Sequence, residues 1–478
     1  MKSTFHTIVH NSFFRAIIEG TKVLSGVVLA VLLARLLGPE DYGRLSFAFA
    51  LTGLASIVMN LGLQITFVRD GARDANFLRE NLATALFLQG LVSFALFLAL
   101  IGAFLVVPTL RQDTLLLVVA LFYTVFSIIT NFLYSSFQAV HRMHLEAIAV
   151  GVQQGLLLIF VLFFLFYHGT VEGIMFGYLG ASVFGAALTF ILIRKYLFSW
   201  LWRIDWQKGM VLLSQSWPLM VGSALSTVYF SFDSIMLRFF QGSEAVGIYS
   251  ALYKIVLVFY LFATLYGNSI FPVFSQLFTR AQDEFMNLYK RSVQLMAGLG
   301  FLFGLTITFF ARPIIQLCFG EDYLSGTLTL QIMVWSIMVF LVGGILYGAL
   351  IVAGKQKDLL WSVLFSTLLN FLFNMILIPS WGGEGAATAT VIAQIAQLLF
   401  NIYLLKAIIP FNFFSMIAKP TFIAGGTVVL YFILSLIASP LIAASFAMVT
   451  YVVLIFIAEV IQLKEIRQMV KVLAYGDY

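Results

Sequence analysis

Arg15, Glu19 and Lys22 form a basic, acidic, basic stripe inside the first apolar segment, with Asn11 before them and Gly26 after. At about 100° per helical residue these positions fall within an arc of roughly 80°. An ionised side chain at the bilayer centre opposes insertion by about 2.5–3.5 kcal/mol, so three oppose it by roughly 8–10. A membrane helix keeps such residues where they line a wet cavity or pair with one another. Arg15 is near enough to the start of the segment to reach the headgroups. Lys22 lies about ten residues, ~15 Å, inside it and is too deep for that. Two cations on one face suit an anionic head group, and Glu19 between them can pair or carry a proton.

A second set of polar residues falls in later apolar segments. Asp233 shares a helical face with Gly222, Ser226 and Tyr229, and Lys254 has Gly247 and Ser250 on its side. Lys254 is expected to face a cavity, and Asp233 to pair with it or with Lys22. Ser226 and Tyr229 are placed to meet hydroxyl groups. Glu19 and Asp233 are the candidates for H⁺ or Na⁺ coupling. Asn370 with Asn374, and Gln153 with Gln154, read as hydrogen-bonding glue between helices. Gly151/Gly155, Gly173/Gly177 and Gly300/Gly304 read as small pairs for close helix approach.

Enzyme signatures do not emerge. Gly348 to Gly354-Lys355 is one residue too long for a phosphate loop, and Gln356 stands where Ser or Thr is required. Gly298, Gly300 and Gly304 miss the dinucleotide pattern. His141 and His144 have only Glu146 beside them and read as a solvated basic loop, not a metal site. The single Cys318 reads as packing. The expectation is a protein with no catalytic residue, metal or cofactor.

The elements that must hold these residues are membrane helices. Of 478 residues, 62% are hydrophobic and 10% charged, and the mean hydropathy is +1.02. A soluble chain of this length needs far more charge to cover its surface. The apolar runs lack period-2 alternation, which excludes a barrel. The fold class is therefore all-α and polytopic. Breaks at charged and Pro/Gly clusters give about fourteen spans of ~20–27 residues, among them 12–36, 43–66, 213–238, 359–379 and 385–405. The first helix would serve as its own insertion signal. Arg35, Arg44, Arg111, Arg238 and Arg312 fall on one side of the membrane or its edge. Arg15, Lys22 and Lys254 lie within it, and the remaining Lys and Arg fall in connections on the other side. That bias sets both termini in the cytoplasm. Anionic lipid heads account for the net charge of +6 without a nucleic-acid partner.

Two turns echo each other. Arg35-Leu-Leu-Gly-Pro-Glu-Asp-Tyr-Gly43 and Arg238-Phe-Phe-Gln-Gly-Ser-Glu-Ala-Val-Gly247 each join an outgoing to an incoming span. Val171-Glu172-Gly173 and Gly383-Glu384-Gly385 repeat at nearly the same offset, as do the segments ending at Arg142 and Lys355. A six-span repeat gives two lobes of equal topology, related by an axis along the membrane normal, with a substrate site between them. The expected parts are a lobe at 1–193, a basic Trp-rich cytoplasmic linker at 194–212, a second lobe at 213–406, and two further helices with a tail at 407–478. Trp200, Trp202 and Trp206 of the linker are expected near the headgroups.

Several segments resemble the polysaccharide-transporter branch of the multidrug/oligosaccharidyl-lipid/polysaccharide exporter superfamily, the Wzx-type flippases of lipid-linked oligosaccharides. They are Ala34–Gly43, Asp233-Ser-Ile-Met-Leu237, Val246-Gly-Ile-Tyr-Ser-Ala251, Phe271-Pro272, Phe319-Gly-Glu-Asp-Tyr323 and Gly382-Gly-Glu-Gly-Ala-Ala387. The resemblance implies twelve core helices in two lobes plus two extra helices. It also implies a cationic cavity open alternately to each side and an undecaprenyl-pyrophosphate-linked substrate, such as an O-antigen or exopolysaccharide repeat unit. Arg15, Lys22 and Lys254 would be cavity cations, with Arg35, Arg44 and Arg238 at an outer rim. Peptidoglycan-precursor flippases place several Arg in this cavity, whereas here Lys and carboxylates take part. The expected function is translocation of a lipid-linked oligosaccharide from the cytoplasmic to the outer leaflet of a bacterial inner membrane. Its partners would be membrane lipids and other polysaccharide assembly proteins. Two rivals are a cation-coupled multidrug exporter of the same superfamily, which would favour a carboxylate-lined cavity, and a membrane glycosyltransferase or ligase. External connections of about a dozen residues or shorter leave little room for the latter's catalytic groups.

Overall fold

The computed structural model describes residues 2–197, 203–409 and 411–461, and within them some side chains, Ser226 and Tyr229 among these, lie outside the description. The described chain is helical and without strands. In order the helices are α1 (Lys2–Asn60), α2 (Leu63–Gly71), α3 (Ala75–Val106), α4 (Pro108–Arg111), α5 (Thr114–Ala139), α6 (Met143–Tyr167), α7 (Val171–Tyr196) and α8 (Trp206–Gln241). They continue as α9 (Ser243–Arg280), α10 (Gln282–Cys318), α11 (Thr327–Met333), α12 (Trp335–Val352), α13 (Gln356–Lys406), α14 (Phe413–Ser435) and α15 (Pro440–Ile457).

Eleven helices among the described residues are long and apolar enough to cross a membrane. The protein is a multi-pass membrane protein. Two of those helices are too long to be single spans. Straight, the 59 residues of α1 would reach about 88 Å, against a hydrocarbon core of ~30 Å. The chain instead breaks at Gly38 (φ 75°, ψ 174°), and Pro39 starts the second arm, where a missing N–H costs nothing. α13 breaks likewise at Gly382 (φ 51°, ψ −127°). The expected spans 12–36 and 43–66 thus share α1, except that the second stops at Asn60 and gives way to α2. Spans 359–379 and 385–405 are the arms of α13, and 213–238 falls within α8.

The chain forms two compact units, Met1–Gly247 and Ile248–Tyr478, divided inside α9. This division follows contacts. The lobes 1–193 and 213–406 divide the chain by repeat and stand as a proposal beside it. Trp206 opens α8 and is exposed, while Trp200 and Trp202 lie outside the described residues.

In the first unit, α5 and α6 each pack along α7 and also contact α1. Ile18, on the same face of α1 as Arg15 and Lys22, is fully buried in a cluster with Phe67, Phe132, Phe137 and Leu145. That contact turns the stripe toward α5 and α6. The two echoing turns are also in this unit and pack on each other. Gly38 and Gly242 share one backbone conformation, at φ 75° and ψ 174° and at φ 88° and ψ −173°. Gly43 and Gly247 meet so closely that a Cβ on the first would collide with the Ser243 carbonyl, and one on the second with the Pro39 carbonyl. Only glycine fits either place.

The second unit is tied by buried hydrogen bonds. Tyr260 donates to Ser336 (2.9 Å) and accepts from Gln394 (3.1 Å). Asn374 donates to Asn370 (3.1 Å), which donates to Thr390 (3.2 Å). The Asn pair acts as the expected glue. The glycine pairs divide. Gly177 lies against the Phe160 backbone and Gly300 against Met338, but Gly151 and Gly155 have open space where a Cβ would go. These two are not a packing pair. Close approach on α6 instead involves Gln153, which lies against Gly185 of α7.

Candidate functional site

The stripe on α1 meets α5 and α6. Arg15 pairs with Glu19 at 3.0 Å, one turn on, and reaches to 3.9 Å of Glu146 on α6. The Arg15 and Glu19 side chains are 49% and 45% exposed, so their mutual attraction holds neither rigidly. Glu146 differs: it is buried, with one carboxylate oxygen accepting from Gln138 (2.9 Å) and the other without a partner. Asn11 Oδ1, on the stripe's own face, is a second buried acceptor without one. This end of the unit therefore holds charged and polar groups whose hydrogen-bonding capacity is incompletely used, an arrangement that costs about 1–3 kcal/mol for each buried group left unmade.

Lys22 stands two turns further along, with its ammonium 5.8 Å from the centre of the Tyr134 ring. It lines a cavity of about 300 Å³ together with residues of α5, α6 and α7, including Tyr123, Asn131, Gln153, Gln154 and Tyr178. Gln153 and Gln154 do act as glue, since their oxygens accept from Tyr134 (2.7 Å) and from Ser25 (2.7 Å). They also form the cavity wall, a role that their sequence did not declare.

A second charged cluster gathers at the Gly38 end of the same helices. Asp113, the residue preceding α5, is 3% exposed and accepts from Arg44 (2.6 Å) and from Arg238 (2.7 Å). Arg44 also binds Glu172 of α7 (2.7 Å) and Asp41 (3.1 Å). At a helix N-cap an Asp carboxylate commonly accepts from the first turn. Asp113 makes no such bond, because its oxygens hold two arginines. Arg44 and Arg238, expected at an outer rim, are held in this network of ion pairs. Arg35 is exposed and partnered.

The structure thus brings Arg15, Glu19 and Lys22 together on one face. Asp233 is buried in α8 and partnered, and Lys254 is an exposed side chain of α9 in the second unit. The side chains of Ser226 and Tyr229 lie outside the description. Sequence reasoning missed Asp113 and gave Glu146 no role beyond that of a companion to two histidines. Both sit at helix starts, where a carboxylate reads as ordinary capping or solvent exposure. Among the described residues no group of three or more His, Cys, Asp or Glu is placed to hold a metal.

The family model described as polysaccharide biosynthesis protein matches residues 8–278, more than half of the chain and all of the first unit's charged clusters. The chain belongs to this family. The MatE model also matches, over residues 218–376. Among relatives of this family member, the capsular polysaccharide biosynthesis protein CapF of Staphylococcus aureus is 22% identical over 410 residues, 84% of this chain and 100% of that protein. The probable flippase AglR of Haloferax volcanii is 26% identical over 284 residues, 56% of this chain and 55% of its own. Among solved structures, the lipid II flippase MurJ in an inward closed conformation shares the fold at a TM-score of 0.71 and 16% identity, covering 92% of this chain and 97% of that one.

Proposed function

We propose that this protein is a flippase that carries a lipid-linked oligosaccharide from the cytoplasmic to the outer leaflet of a bacterial inner membrane by alternating access, without catalysing a covalent step. The observation that carries the reading is the α1 stripe: an exposed Arg15 leads to Lys22 at a polar cavity deep in an apolar helix bundle. In a low-dielectric surrounding, two such cations attract a diphosphate far more strongly than in water. Arg15 leaves Glu19 easily, because an exposed i,i+4 pair contributes only about 0.3–0.5 kcal/mol. A diphosphate that bridges Arg15 and Lys22, about 10 Å apart along the helix, would shift the conformational balance only by binding one state better than the other. The prenyl tail stays in lipid beside the bundle. The fold shared with a lipid II flippase and the names of the relatives support the same class of cargo. Both termini in the cytoplasm, coupling to H⁺ or Na⁺ through Glu19 or Asp233, cation roles for Lys254 and Arg35, and association with polysaccharide assembly proteins belong to this proposal.

A cation-coupled drug exporter is the second reading, favoured by the MatE match. The cavity argues against it, since its lining among the described residues includes a lysine and no carboxylate. The test is complementation of a deletion strain. Lys22→Ala, at normal protein level, is expected to abolish surface polymer and leave lipid-linked precursor on the inner leaflet. Unaltered surface polymer would refute the assignment. Drug sensitivity with normal polymer would favour the exporter.

A further inference from the structure

The Lys22 cavity carries more than a charge. Its walls are α1, α5, α6 and α7 of the first unit, and about 300 Å³ is the small end of the range for ligand sites, too small for an oligosaccharide. As a water pocket it would hold roughly ten molecules. The hydrogen-bonding groups in it are of both kinds. With the oxygens of Gln153 and Gln154 held by Tyr134 and Ser25, their NH2 groups are donors, beside the ammonium of Lys22 and the hydroxyl groups of the lining. Asn131 spends its NH2 on the Ser127 carbonyl (2.9 Å), which leaves its oxygen as an acceptor. An inorganic anion uses donors only, and a cationic drug wants a carboxylate. A ligand with hydroxyls, each donating and accepting, matches both kinds of group at once.

The remaining wall is aromatic and apolar apart from Ser127 and Ser182. Tyr123 and Tyr178 meet edge to face at 5.6 Å and line the cavity with Leu157 and Ala181. Such a surface suits the C–H face of a sugar ring. Lys22, the charged residue of the lining, fixes where an anionic substituent must lie.

We propose that this cavity binds a single sugar ring bearing a phosphate, the phosphate on Lys22 and the hydroxyls on the amides of Gln153, Gln154 and Asn131. The inference rests on the flippase reading and assigns the ring to the phosphate-bearing end of the cargo. The protein would then read one ring and leave the rest of the glycan unread.

The test is equilibrium binding to the purified full-length protein in detergent, with radiolabelled glucose 1-phosphate, glucose and inorganic phosphate as probes. Glucose 1-phosphate is expected to bind at least ten-fold more tightly than either part alone. Lys22→Gln should lower it to the level of glucose. Gln154→Leu, which keeps charge and bulk, should lower it toward the level of phosphate, and so should Ala181→Leu, which fills the apolar wall. Equal binding of glucose 1-phosphate and phosphate by the native protein overturns the proposal. So does full affinity in both Leu variants at an unchanged melting temperature. A short-chain prenyl-diphospho-glucose should displace the bound probe; failure to do so would leave the cavity to free sugar phosphates and refute its assignment to the cargo. Surface polymer in cells separates the two levels of claim. Native protein that exports polymer but ignores the sugar ring sinks the cavity proposal alone. A native protein that does not restore export sinks the flippase reading, whatever it binds.

Discussion

The two charged clusters of the first unit use the same residue types to opposite ends. Around Asp113, three carboxylates and two arginines are joined by four contacts of 2.6–3.1 Å, and Asp113 bridges the two guanidiniums. Around Glu146, one ion pair is half exposed, another is stretched to 3.9 Å, and a buried carboxylate oxygen has no partner. A saturated network resists any new ligand because binding must first break it. A loose one can release its guanidinium to a new partner. The Asp113 cluster therefore holds α1, α5, α7 and α8 together, whereas the proposed function has the stripe receive an anion through its cations Arg15 and Lys22, not through the unpartnered acceptors of Glu146 and Asn11.

That contrast breaks most sharply at Asp113. Asp113→Ala leaves Arg44 and Arg238 without their buried counter-charge and is expected to cost about 3–5 kcal/mol, seen as a large fall in the melting temperature of the detergent-solubilised protein. A stable, fully active variant would show that the network holds nothing. The glycine contact beside it should matter nearly as much. Gly43→Ala drives a methyl into the Ser243 carbonyl, and overpacking of this kind costs about 1–3 kcal/mol; an unchanged melting temperature would mean that the two turns separate freely. Smallest is the stripe itself. Arg15→Ala removes an exposed i,i+4 pair worth about 0.3–0.5 kcal/mol, so its melting temperature should barely move while surface polymer falls. A large loss of stability there would turn the stripe into a structural feature.

The sequence made the stripe legible because a charge within an apolar run has no inexpensive explanation. It made the fold class legible for the same reason, through hydropathy and the lack of alternation. The echoing turns were visible as a motif, yet their contact through Gly43 and Gly247 depends on three-dimensional proximity between residues far apart in the chain. Asp113 and Glu146 stayed hidden because a carboxylate at a helix start is common, and only its neighbours distinguish a cap from an ion-pair hub. Gly151 and Gly155 misled for the converse reason: the spacing of small residues permits close packing, but among the described residues nothing lies within 4 Å of where their Cβ atoms would be.

The most direct measurement is translocation in proteoliposomes, with a fluorescent prenyl-diphospho-oligosaccharide as cargo and native, Lys22→Gln and Lys22→Arg proteins compared at equal insertion. A deep fixed charge that receives phosphate predicts rapid loss of inner-leaflet cargo for the native protein, near-background movement for Lys22→Gln, and substantial recovery in Lys22→Arg. Native-rate movement by Lys22→Gln would contradict the account.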